Sequence, residues 1–264
     1  MFIKDSNEKS ILKSVFALVA FILLVSYANA EYVMIDDFSE GNVTKTSQGN
    51  QSEWSNNGLN VLGGVRDGSV GCESSEADGR STANISNGLF AVTTNHKAAP
   101  SIYLSYDGLA GWGNHLDDDP FNDSLSPSQD LTAGGADAFS IEFVHADEGD
   151  SGVAFFNDVL LTVKMEGQSS LYQYNANTEA NSWMDTNYNL ISESNPMAFE
   201  VEFAKLGNGT STDIDMAKVE AVGLHICSEN YDLEYTLNSF STVPEPATLA
   251  LLGSGLIMLR RKRR

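Results

Sequence analysis

Phe139-Ser140-Ile141-Glu142-Phe143 puts apolar side chains on one side of an extended chain and polar ones on the other. Successive side chains of a strand point to opposite faces, so such a segment buries one face and leaves the other wet. The same period recurs at Met197, Phe199, Val201 and Phe203 against Glu200 and Glu202. It returns at Leu233, Tyr235 and Leu237 against Asp232, Glu234, Thr236 and Asn238. Further strands are expected at 32–38, 59–70, 89–93, 101–106, 153–165, 171–174 and 219–227. Turn formers separate them, among them Asn56-Asn57-Gly58, Asp78-Gly79, Asp107-Gly108, Gly134-Gly135 and Gly207-Asn208-Gly209. No stretch of the body sustains a helical period. About ten short strands predict an all-β antiparallel sandwich or jelly roll over residues 31–242.

Charge narrows what this body does. The chain carries a net −21, and residues 31–243 hold seven lysines and arginines against 33 aspartates and glutamates. That field repels phosphate backbones and excludes nucleic acid as a partner. It suits a secreted, soluble protein or one that meets divalent cations.

The two ends read as addresses. Lys4, Lys9 and Lys13 precede an apolar run from Val15 to Val25, and Ala28-Asn29-Ala30 follows. This is the charged, apolar and small-residue order of a secretory signal, expected as a helix over 1–30 with signal peptidase cutting before Glu31. The alternative, a permanent anchor, needs about 20 apolar residues to span a bilayer. At the other end, residues 243–264 run Val243-Pro244-Glu245-Pro246, then an apolar stretch from Ala247 to Leu259, then Arg260-Arg261-Lys262-Arg263-Arg264. The apolar stretch is expected as a short hydrophobic helix flanking the sandwich. It would pause in the inner membrane while the basic cluster stays on the cytoplasmic side.

This C-terminus resembles the PEP-CTERM sorting family in order, spacing and position. The resemblance implies that Pro244, Glu245 and Pro246 are read by an exosortase that processes the tail. It also implies a Gram-negative, exopolysaccharide-producing, biofilm-forming host and a secreted, cell-surface destination. Ile35-Asp36-Asp37-Phe38, the run from Val61 to Asp67, Tyr106-Asp107-Gly108 and the run from Leu131 to Phe139 resemble segments of PEP-CTERM proteins with a jelly-roll ectodomain. That group is similar in shape to carbohydrate-binding modules and implies fold and surface context only.

Several residues are candidates for chemistry. Cys72 and Cys227, the only cysteines, are expected to form one disulfide in an oxidising compartment, the alternative being two buried thiols. Asp117, Asp118, Asp119 and Asp123 gather hard oxygen ligands for a structural calcium, as do Asp147 to Asp150 and the Asp36-Asp37 pair. Trp112 in a Gly-Trp-Gly loop, with Tyr106 nearby, offers flat faces on which a sugar ring stacks. Gly149-Asp150-Ser151-Gly152 resembles the nucleophile loop of chymotrypsin-like proteases, but His96 and His115 lack that family's context, and the segment is read as a polar turn. His145 and His225 are read as ordinary sheet residues. The expected protein is therefore a non-enzymatic surface or matrix component associated with exopolysaccharide. The alternative is a carbohydrate-binding, lectin-like module that uses calcium.

Overall fold

Alternation becomes strand wherever one side of the chain can be buried. The computed structural model describes residues 32–48, 51–73, 78–95, 97–108, 121, 125, 127–147, 158–175, 190–207, 214–228 and 231–244. In order, the strands are β1 (Met34–Asp36), β2 (Val43–Ser47), β3 (Ser52–Asn57), β4 (Val65–Glu73), β5 (Ser81–Ser86), β6 (Leu89–Thr94) and β7 (Ala99–Tyr106). They continue with β8 (Ala138–Asp147), β9 (Asp158–Met165), β10 (Leu171–Asn175), β11 (Met197–Glu202), β12 (Val219–Cys227) and β13 (Glu234–Val243). A seven-stranded sheet runs β11-β8-β13-β6-β5-β2, with β1 pairing the far half of β13, and a six-stranded sheet runs β10-β9-β12-β7-β4-β3. All the pairings are antiparallel.

The inner faces meet in one apolar layer. Phe139, Ile141, Phe143, Tyr235, Leu237 and Phe240 from one sheet face Ile102, Leu104, Val222, Leu224, Val159 and Leu161 from the other. Phe139 sits 5.0 Å from Phe203 and 5.6 Å from Phe240, and Phe240 reaches Tyr106 across the layer at 6.0 Å between ring centroids. Trp54 lies over Gly68 on the neighbouring strand, where a Cβ would come within 2.0 Å of the indole. Only glycine leaves room for that ring.

One polar cluster pierces this layer. Arg66 on β4 and Asp36 on β1 are both 0% exposed, and the guanidinium donates to both Asp36 oxygens through Nε and a terminal nitrogen. The Tyr106 hydroxyl donates to Asp36 Oδ2 at 3.0 Å, and the Phe38 amide donates to Oδ1 at 2.8 Å. Arg66 also stacks 5.3 Å from the Phe38 ring centre and donates to the Glu40 carbonyl and Asn56 Oδ1, each at 3.3 Å. Burial pushes the Asp36 carboxyl up against the pull of Arg66. Burial, with the Asp36 charge, also holds the Tyr106 hydroxyl well above its usual range. This pair ties β1, and through it the larger sheet, to β4 and β7 of the smaller one.

Three expectations need correction. The helices expected to flank the sandwich are not found: no helix of seven or more residues occurs among the described residues, whose only helical turns are three-residue 3-10 turns. The segments expected to carry them, 1–30 and 245–264, lie outside the described residues. The described body alternates with period two, and that period builds strand rather than helix. The strand expected over 59–70 begins only at Val65, because Gly63 and Gly64 take positive φ (69° and 80°) in a tight turn.

The expected disulfide is not formed either. Cys72 pairs with Pro100 on one side of β7, and Cys227 pairs with Ser101 on its other side. Two strand spacings separate the Cα atoms by about 9.6 Å, beyond the roughly 7 Å a disulfide spans. Cys72 is buried on the inner face with Val70, whereas Cys227 is half-buried and shares the outer face with Ser101 and His225.

Arg66→Ala is expected to cost about 3–5 kcal/mol in urea unfolding, because it strands a buried carboxylate. Asp36→Leu combined with Arg66→Met should recover most of that loss, and a loss below about 1 kcal/mol for the single variant would refute the tie between the sheets. Thiol titration of the denatured, unreduced protein should find both cysteines, and a count of zero would overturn the register around β7.

Candidate functional site

Groove geometry comes from a fault in the β8–β13 ladder. His145 pairs with Thr236 and Phe143 with Leu237, so Val144 is one residue too many on β8. Glu142 then pairs with Ser239, so Asn238 is one too many on β13. Two bulges on neighbouring strands cancel, and the register beyond them is restored. A bulge re-aims side chains. Here Phe143 and Ala146 stay in the core while Val144 and the exposed His145 both line the outer face.

Around that fault lies an open groove of about 600 Å³, lined by Leu89, Val144, His145, Thr236 and the arm Ser192-Glu193-Ser194. The arm precedes edge strand β11 and is folded by its own bonds. Ser192 and Asn195 exchange backbone hydrogen bonds, Asn195 Nδ2 donates to the Leu190 carbonyl at 2.6 Å, and buried Ile191 fixes its base. Since Met197 pairs with Phe143, the residues just before β11 fall beside the bulge. The floor is apolar, from Leu89 and Val144, and the walls bring hydroxyls, an imidazole and the exposed Glu193 carboxylate. Such a lining offers hydrogen-bond partners beside an apolar surface.

The surrounding outer face is polar and acidic. A row of residues crosses the sheet from Thr44 through Asn84, Ala91 and Thr236 to His145. Glu142 accepts from Asn238 Nδ2 at 2.7 Å and Ser239 Oγ at 3.1 Å. Partial burial and the nearby Asp137 charge raise the Glu200 carboxyl above the usual range.

Few of the sequence candidates converge here. Tyr106, expected as a sugar-stacking face, is 0% exposed and held by Asp36, so it cannot meet a ligand. Asp36 is likewise spent on Arg66 rather than on calcium. Trp112 and the calcium candidates Asp117, Asp118, Asp119 and Asp123 lie outside the described residues, as do Ser151 and His96. Of the sorting residues, Pro244 is half-buried directly after β13, while Glu245, Pro246 and the basic cluster from Arg260 to Arg264 lie outside. Among the described residues no three His, Cys, Asp or Glu side chains gather as a metal site. The half-exposed Tyr103 and His225 sit together on the outer face of the smaller sheet at 5.8 Å, with Ser101 Oγ 3.0 Å from His225 Nε2. His145 was the residue that sequence reasoning passed over. Its signal was the broken alternation in Phe143-Val144-His145-Ala146, two outward residues in a row.

Comparison with known proteins adds an address. No curated protein matches the chain in sequence. Among solved structures it is similar to the family 11 carbohydrate-binding module of the cellulosomal cellulase Lic26A-Cel5E of Clostridium thermocellum, at 12% identity over 81% of this chain and 95% of that one, with a TM-score of 0.35. The same module in complex with a β-1,3-1,4-mixed-linked tetrasaccharide aligns at 9% identity over 78% and 98%, with a TM-score of 0.30. A β-1,2-glucanase from Parabacteroides distasonis aligns at 10% identity over 81% of this chain and 25% of its own, with a TM-score of 0.35. These likenesses are too distant to bring a ligand or an activity to this chain. Residues 242–264 match the PEP-CTERM protein-sorting motif, in agreement with the Pro-Glu-Pro, apolar and basic order of the tail. The chain is thus an antiparallel β-sandwich that carries a C-terminal PEP-CTERM sorting motif and the cell-surface destination that goes with it.

Proposed function

We propose that this is a non-catalytic surface protein whose sandwich holds a polysaccharide in the groove beside His145. In this reading signal peptidase removes residues 1–30. The apolar stretch from Ala247 to Leu259 then retains the chain transiently in the inner membrane, and an exosortase processes it at the Pro244-Glu245-Pro246 element. The released sandwich joins an exopolysaccharide matrix. The observation that carries the ligand assignment is the groove itself: about 600 Å³, open, with an apolar floor and walls of hydroxyl, imidazole and carboxylate. That volume lies within the usual range for small-ligand sites, roughly 300–1,000 Å³. An open trough rather than a closed cavity lets a polymer pass through.

The test is affinity electrophoresis of the purified protein through gels containing host exopolysaccharide or defined glycans. Retardation by at least one glycan is expected. His145→Ala, which loses an exposed side chain and little stability, should weaken it by about 3–10-fold, the worth of one hydrogen bond of about 0.5–1.5 kcal/mol. Migration unchanged by any glycan would leave a sorted structural protein without a saccharide site.

A further inference from the structure

The distance between the sorting motif and the folded body decides what else must touch an enzyme that reads the motif. β13 ends at Val243, and Pro244, the first residue of the Pro-Glu-Pro element, follows at once. Four Cα steps separate Val243 from Ala247, where the apolar stretch begins. Fully extended, they span about 14 Å. The headgroup layer of one leaflet takes up roughly 5–7 Å of that reach. A sandwich held through this tail therefore keeps its Val243 end within about 9 Å of the membrane surface. A single helix is about 10–12 Å across with its side chains, so no folded enzyme enters that gap without touching the sandwich.

The end of the strand is also held in place. Val243 pairs with Ala138, and its carbonyl accepts from the Asp137 amide at 3.1 Å. On the other side, the Thr242 amide donates to the Val33 carbonyl at 2.9 Å, and Thr242 Oγ1 accepts from the Val33 amide at 3.0 Å. Drawing residues 242–243 into an enzyme cleft would break these bonds. Proline then locks φ at Pro244 and biases Val243 toward extended backbone, so the fold also sets the direction in which the motif leaves.

Around Val243 the sandwich presents a small, defined end. Tyr32 precedes Val33 on one side and is 55% exposed. On the other side, the Gly134-Gly135 turn leads through Asp137 into β8. Next to it the turn Phe203–Lys205, whose first amide donates to the Asp137 carbonyl at 2.7 Å, leaves Ala204 and Lys205 exposed. Resting on the exosortase-processing reading above, we infer that this end is a docking surface for the exosortase. The enzyme reads Pro244-Glu245-Pro246 together with the folded end that carries it. Lipid is the poorer occupant, because residues 31–243 carry seven basic side chains against 33 acidic ones and are repelled by an anionic membrane.

The experiment follows tail processing of the full chain by pulse-chase in an exosortase-producing host. A flexible Gly-Ser spacer between Val243 and Pro244 leaves the motif, the apolar stretch and the sandwich unaltered. It should slow processing about fivefold or more, because the preorganised presentation is lost. In parallel, a photo-crosslinking aromatic residue replaces Tyr32 or Tyr231. Tyr231 is also exposed but precedes β13, whose ten residues carry it about 30 Å from Val243. An adduct with the exosortase, identified by its mass, is expected at 32 and not at 231. Processing unchanged or hastened by the spacer overturns the inference, since the enzyme then reads the tripeptide alone or is hindered by the sandwich. Lack of an exosortase adduct at 32, whether or not lipid is captured, overturns it too, as do equal adducts at both positions. If the unaltered chain keeps its tail equally with and without the exosortase, the processing reading has failed instead.

Discussion

The Asp36–Arg66 pair is the constraint on which the sandwich depends. Two apolar faces pack without a strong preference for one offset over another, whereas an ion pair buried from both sides has a single geometry that leaves no charge unmatched. Asp36 receives both ends of the guanidinium, the Tyr106 hydroxyl and a backbone amide, so its acceptor capacity is used. Any slide of one sheet over the other would expose the cost of desolvating these charges without their mutual attraction. The three-residue β1 is too short to define its own place, and this pair defines it. The aromatic layer from Phe203 through Phe139 and Phe240 to Tyr106 then fills in around a fixed offset.

A similar economy governs the groove. A lone bulge would have left β8 and β13 out of register by one residue from there on. The partner bulge at Asn238 restores the register within two residues, so the disturbance is confined to Val144, His145 and Asn238. The fault lies between the two longest strands of the larger sheet, where the ladder on either side holds it rigid. The arm from Leu190 to Asn195 adds walls without entering the sheet.

Much of the fold was legible because burial imposes period two. The clean alternations at Phe139–Phe143, Met197–Phe203 and Leu233–Leu237 became β8, β11 and β13, with the last residue of the second taken into a 3-10 turn. β2, β3 and β5 were missed because their sequences, Val-Thr-Lys-Thr-Ser, Ser-Glu-Trp-Ser-Asn-Asn and Ser-Thr-Ala-Asn-Ile-Ser, are polar enough to pass for loop. Yet Asn87-Gly88, both at positive φ between paired Ser86 and Leu89, was a hairpin signal that named β5. Tyr106 was misjudged against its own period, since Ile102 and Leu104 already put that parity inside. The partner of Asp36 could not be read, because nothing local ties it to a residue 30 positions away. The groove was hidden for the same reason, its arm and floor being joined only by the tertiary fold.

The sorting motif follows its last strand without a spacer. β13 ends at Val243, whose carbonyl accepts from Asp137, and Pro244 is the next residue. β13 lies inside the sheet, with β8 along one side and β6 and then β1 along the other. Val33 and Thr242 exchange bonds as well, so the first described residues leave the sandwich beside the last. A pull on the tail therefore enters along the axis of an interior strand and loads its ladders in shear, all bonds at once, rather than unzipping them singly from an edge. As a mechanical element the sandwich is gripped by its spine, and tension from the tail would reach its core before it could peel a margin.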